Sequence, residues 1–135
     1  MSNTEPVVRR FIELIERQEF HDAFSLLADD GKYIIVGTTP ASRTYHGKKD
    51  FFDNLVPLLT GFVVAPSLKF QEPIIAGDRA AVIASGAGVG QTGPYHQPYY
   101  CFMMQVRGEE FSEVYEFFDT VMLETALFGK QLVAR

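Results

Sequence analysis

The sequence predicts an α+β domain in which about three N-terminal helices pack on the concave face of a strongly curved antiparallel sheet, around an internal cavity. Apolar residues recur at helical spacing in the first part of the chain and at strand spacing from Phe62 onward, the order expected of α+β architecture. Gly86, Gly88 and Gly90 fall inside a strand pattern where side chains ordinarily pack, which points to a bulge or a strong bend. The 135 residues, 47% hydrophobic and 21% charged, suit one core, and a chain of this length buries roughly two thirds of its unfolded surface. Residues 1–135 are expected to form a single domain.

Each element follows from local pattern. Thr4 is placed to cap a first helix with Pro6 in its opening turn, and Val7, Val8, Phe11, Leu14 and Ile15 form its apolar face. A shorter helix presents Phe20, Ala23, Phe24 and Leu27 and is stopped by Asp29-Asp30-Gly31. Tyr33 to Val36 suits a short buried strand. After a loop containing Pro40, Lys48 to Leu55 is helical with Phe51, Phe52 and Leu55 inward, and Pro57 ends or kinks it near Asn54 to Val56. Pro66 and Pro73 mark bends or an edge in the next strand. A turn at Ala76-Gly77-Asp78-Arg79 leads into a strand over Ala80 to Val89. Gln97 to Val106 and Phe111 to Phe118 make a hairpin, and a last helix covers Val121 to Phe128.

Composition excludes several function classes. A net charge of −5, with no basic cluster beyond Arg9-Arg10 or Lys48-Lys49, argues against nucleic acid or an anionic membrane as partner. The longest apolar runs are far too short to span a bilayer, and the N-terminus lacks the basic start and apolar stretch of a secretory leader, so a soluble, cytoplasmic protein is expected. The lone Cys101 permits no internal disulfide, and three scattered histidines lack ligand spacing, so no metal is expected. A hydrophobic small molecule is the expected ligand. Apolar residues at alternate strand positions such as Phe102, Met104 and Val106 also suggest a homodimer through the outer face of the sheet.

Two constellations bear on chemistry. Gly88 to Gly93 matches G-x-G-x-x-G, but Pro94, Pro98 and a strand follow where a phosphate-binding helix would have to start, so a bend is the better reading. Asp119 follows Tyr115 and Phe117 at strand spacing, on a face otherwise aromatic. Facing inward, its desolvated carboxyl would serve as a proton shuttle near neutral pH; alternatively, Asp119 or Thr120 caps the last helix. Tyr33, Tyr95, Tyr99, Tyr100 and Tyr115 are candidate donors to a ligand carbonyl or simple packing residues. Ser85 has no His-Asp set beside it and is expected to line the pocket or to be a satisfied strand hydroxyl.

With those elements placed, the chain resembles the SnoaL-like and ketosteroid isomerase-like branch of the nuclear transport factor 2-like (NTF2-like) superfamily, cone-shaped α+β domains. The resemblance rests on Arg10 to Ile15, Leu27 to Asp30, Tyr45 to Lys48, Thr92 to Gln97 and the closing Glu116-Phe117-Phe118-Asp119-Thr120. It implies a pocket and a family acid at Asp119. The positions matching the ketosteroid isomerase tyrosine and aspartate are Phe11 and Ile35, and those matching the Arg-Asp pair of epoxide hydrolases are Ile83 and Ser85, so neither set of machinery is expected. What remains resembles polyketide cyclases, implying cofactor-independent cyclase, isomerase or lyase chemistry on a hydrophobic carbonyl compound. Asp119 would be the general acid/base, Tyr99 or Tyr115 would polarise the carbonyl, and Phe11, Tyr33, Ile35 and Phe117 would shape the pocket. A non-catalytic ligand-binding or dimerisation module is the rival reading, and an epoxide hydrolase a more distant one.

Overall fold

Two helices precede the first strand in the computed structural model, which describes residues 3–135; Met1 and Ser2, the start of the segment read for a leader, lie outside the described residues. α1 (Thr4–Glu16) buries Val7, Val8, Phe11, Leu14 and Ile15, as its periodicity predicts. Burying each such side chain contributes roughly 1.5–3 kcal/mol. Thr4 is the first residue of the helix rather than its cap, a position held by Asn3, and its hydroxyl donates to the Gly77 carbonyl at 2.7 Å, tying the start of the helix to a distant turn. α2 (Phe20–Phe24) is one turn long. Asp29-Asp30-Gly31, expected to stop that helix, instead lies inside β1 (Leu27–Ile35), where an irregular register lets both aspartates reach solvent.

β2 (Arg43–His46) pairs antiparallel with β1 and was not expected, because four residues carry too little alternation to declare a strand. The third helical stretch runs through Pro57 rather than ending before it. α3 (Gly47–Asp50) leads into a π-helical turn over Phe51–Leu55 and then α4 (Val56–Leu59). Val56 donates to the Phe51 carbonyl five residues back, and Pro57, which has no N–H to lose, sits in the first turn of α4.

The remaining strands are β3 (Val64–Phe70), β4 (Ile74–Ala76), β5 (Arg79–Gly90), β6 (Gly93–Arg107) and β7 (Glu110–Phe117), followed by α5 (Thr120–Ala126). They form one open seven-stranded sheet in the order β2-β1-β7-β6-β5-β3, with β4 also on β5. The expected antiparallel sheet is in fact mixed: β1 runs parallel to β7. A parallel pair needs a long crossover, and the chain from β2 through β6 supplies it. β3, which carries Pro66, occupies one edge, where a missing donor costs least.

Two bulges decide which side chains face the helices. Between the pairs Ala84↔Tyr100 and Gly86↔Gln97, Ser85 alone opposes both Pro98 and Tyr99. Between Gln105↔Glu113 and Val106↔Phe111, β7 carries Ser112 as an extra residue. Each extra residue reverses the alternation beyond it. Gly90 then permits a contact no side chain would: a Cβ there would lie 2.1 Å from the Ala126 carbonyl of α5. Gly90 and Gly93 close a two-residue hairpin, so the G-x-G-x-x-G stretch is a bend, as expected.

Candidate functional site

A cavity of about 520 Å³ opens between the helices and the concave sheet face, within the range of small-molecule sites. Phe24, Phe51, Leu55, Leu59, Phe62, Leu68, Phe102, Phe118 and Leu123 are among its lining residues. The solvent-exposed His21, Thr60 and Ala65 are also among its lining residues and mark its mouth, with the His21 ring tilted against Phe52 at 5.1 Å. Phe51 and Leu55 lie on the π-helical turn, so that irregular stretch shapes the wall directly.

Among the described residues one carboxyl lines this apolar enclosure, and it belongs to Glu116. The Ser112 bulge turns Val114, Glu116 and Phe118 toward the helices and Tyr115 and Phe117 away from them. The Tyr33 hydroxyl donates to Glu116 Oε1 at 2.5 Å. Exclusion from water pushes the Glu116 carboxyl up to about 7, while the Tyr33 hydrogen bond pulls the other way. Burial, then the neighbouring Glu116 charge, holds the Tyr33 phenol well above its ordinary value. Of the two groups, the carboxyl is therefore the one that titrates near neutrality, while Tyr33 keeps its proton and donates.

A second polar pair lies in the same wall. Tyr95 and Tyr100 are five residues apart on β6, a spacing that would put them on opposite faces of a regular strand; the bulge at Pro98-Tyr99 brings both inward. Their hydroxyls meet at 2.7 Å. Burial raises both phenols, and the Glu116 charge adds to the effect on each.

The structure separates the sequence-predicted residues into two groups. Tyr33 and Ile35 line the cavity. Phe11 is buried beside it, packed edge-on against Phe24, Phe70, Phe102 and Phe111 rather than forming its wall. Tyr99, Tyr115 and Phe117 are 72%, 37% and 41% exposed on the opposite sheet face. Ser85 and Ile83 also point outward, and the inward neighbours Val82 and Ala84 carry no proton.

Asp119 is not in the cavity. It caps α5, its carboxylate accepting from the Val121 and Met122 amides at 3.0 and 3.3 Å. Gln97, fully buried, grips the same residue by its backbone: the Asp119 amide donates to Gln97 Oε1, and Gln97 Nε2 donates to the Asp119 carbonyl, both at 2.8 Å. Of the two readings open from the sequence, the cap is the one the geometry displays.

Glu116 went unnoticed in the sequence because Tyr115, Phe117 and Asp119 form the more aromatic alternate set. Its own set was legible nonetheless: Val114, Glu116 and Phe118 place one carboxylate between two apolar residues at strand spacing. No arginine, lysine or aspartate lines the cavity among the described residues, and no three His, Cys, Asp or Glu side chains converge to hold a metal.

No protein-family model matches the chain, and no curated protein matches it in sequence. Solved structures match it closely in shape. An NTF2-like protein from Burkholderia thailandensis E264 superposes with a TM-score of 0.80 at 16% identity, over 93% of this chain and 98% of that one. An NTF2-like protein of unknown function from Burkholderia pseudomallei K96243 gives 0.78 at 17% identity, over 94% and 98%. A protein from Jannaschia sp. CCS1 with the provisional description SnoaL-like polyketide cyclase gives 0.73 at 13% identity, over 96% and 94%. At such identities the likeness establishes the fold.

Proposed function

We propose that this NTF2-like fold houses a hydrophobic carbonyl compound in its cavity and that Glu116 moves a proton to or from the carbon beside that carbonyl. The observation that carries the reading is the Glu116 carboxyl, raised to about 7 inside an apolar enclosure and held by Tyr33. A base near neutrality is present in its charged form and still holds a proton strongly enough to take one from carbon, the balance favoured in general acid–base catalysis. Glu116 takes a proton from the α-carbon, leaving an enolate and a neutral carboxyl. Returning that proton to a different carbon isomerises the substrate; alternatively, attack of the enolate on a second carbonyl of the same molecule forms a carbon–carbon bond and closes a ring, and Glu116 gives its proton to the alkoxide that results. The provisional cyclase description of one solved neighbour supports this reaction class.

A simple probe tests it: exchange of the methyl protons of 2-acetylnaphthalene in deuterated buffer, followed by NMR. The protein accelerates exchange, with a rate that rises with pH through about 7 as Glu116 ionises. Glu116→Gln lowers the catalysed rate by about a hundredfold or more. The nearly apolar wall also suits the rival reading, a binding module without turnover. Tight binding of the ketone with no acceleration by the wild-type protein would select that reading instead.

A further inference from the structure

The two tyrosines that flank the β6 bulge have a surplus proton. A phenol donates one hydrogen bond, and within the Tyr95–Tyr100 contact only one of the two hydroxyls can be the donor. The hydroxyl that accepts retains its own O–H, and the Gln97 side chain beside Tyr95 offers that proton no place: Gln97 acts on the Tyr95 oxygen as a donor, and its own Oε1 already accepts from the Asp119 amide. Accepting a bond also makes that hydroxyl a stronger donor, since hydrogen bonds in series polarise one another. Both side chains are more than nine-tenths buried, at 3% and 5% exposure, and both line the cavity. Phe62 packs edge-on against Tyr95 at 4.9 Å, while Phe102 stacks on Tyr100 at 5.8 Å, so neither ring is free to swing toward water.

We infer that the Tyr95–Tyr100 hydroxyl pair is an anchoring subsite that donates its unused proton to an oxygen of the ligand, and so selects carbonyl or enol oxygens over hydrocarbon. This rests on the proposed function only in sharing its ligand class. The subsite and the Glu116–Tyr33 pair occupy one cavity but present opposite chemistry. Tyr95 and Tyr100 remain protonated donors throughout the ordinary pH range, whereas the Glu116 carboxylate is an acceptor. A ketone whose oxygen meets the tyrosine pair leaves its neighbouring C–H bonds for Glu116. An enolate formed there would be held by the same O–H as charge grows on oxygen, which is where a preorganised donor acts most strongly.

The test uses binding and the carbonyl stretch of carbonyl-13C 2-acetylnaphthalene, with 2-ethylnaphthalene as the oxygen-free control. The double variant Tyr95→Phe/Tyr100→Phe removes both partners and keeps their shape, so it leaves no buried hydroxyl unpaired and is expected to fold. In the wild-type protein the bound carbonyl absorbs at lower frequency than in an alkane solvent. In the double variant the band returns to its alkane position, and the ketone binds roughly tenfold more weakly, about the worth of one neutral hydrogen bond. Binding of the control is unchanged. An unshifted band in the wild-type protein, a shifted band in the double variant, or equal weakening of ketone and control overturns the assignment. The two proposals fail separately: in Glu116→Gln the band stays shifted while exchange is lost. A wild-type protein that shifts the band without exchanging protons would count against Glu116 chemistry alone.

Discussion

Removing the Tyr33 hydroxyl takes away the bond that steadies the charged form of Glu116. Burial then acts unopposed, so Tyr33→Phe moves the pH midpoint of proton exchange upward, by about one unit if the bond has the usual strength for a charged acceptor. An unmoved or lowered midpoint in the pH–rate profile would separate Tyr33 from the titration. Glu116 also leaves a mark on stability. Its carboxyl binds a proton more tightly in the folded chain, at about 7, than at the ordinary 4.5, so between those values the folded state holds more protons than the unfolded one. Stability therefore falls as pH rises through this window, by a loss on the order of 3 kcal/mol that is complete above it. Glu116→Gln, which keeps an acceptor for Tyr33 without the charge, should raise the urea midpoint at pH 8 and change it little at pH 4.5. Equal effects at both pH values would show that the carboxyl is not held away from water.

At the scale of elements, Asp119 belongs to α5 rather than to the cavity. Asp119→Asn retains a good cap and should leave both stability and proton exchange near wild type, whereas Asp119→Ala costs about 1 kcal/mol in urea unfolding. A large loss of exchange in Asp119→Asn, with the fold intact, would restore the acid to the chemistry. Helices, hairpin and glycine bend were legible because amphipathic spacing and turn residues are local properties. α1 shows this through Val7 to Ile15, and the Gly90–Gly93 turn through its two glycines. The inner face of β7 was not. Tyr115 and Phe117 do share a face, but the extra residue at Ser112 turns it outward and turns Glu116 in, while Asp119 lies beyond the end of β7 at the cap of α5. A bulge has no residue type of its own. It is set by how two strands pair, so alternation in one strand cannot reveal it.

For the whole molecule, the outward residues form a grid whose rows are Arg79, Gln105, Glu113, then Ala81, Met103, Tyr115, then Ile83, Cys101, Phe117. The sequence pointed to Phe102, Met104 and Val106 as outer-face candidates, but these are buried under the helices, and the Tyr115 and Phe117 rings stack on the outside instead. A two-fold axis parallel to the strands of β6 would set Arg79 of one copy against Glu113 of the other and bring the Met103, Tyr115 and Phe117 patches together. We therefore expect a homodimer through this face. Light scattering should give twice the 15.2 kDa chain mass, and Met103→Glu should return it to one. A wild-type mass of one chain would remove the expectation. The α+β class, the presence of a curved sheet and the apolar character of its lining follow from the sequence alone, since composition and periodicity decide which surfaces must be buried. Tertiary pairing decided that the sheet is mixed, that Glu116 rather than Asp119 occupies the cavity, and that Tyr95 and Tyr100 meet across a bulge. Each of those outcomes depends on the register between strands far apart in the chain, and register is an energy of the assembled sheet, not of any one segment.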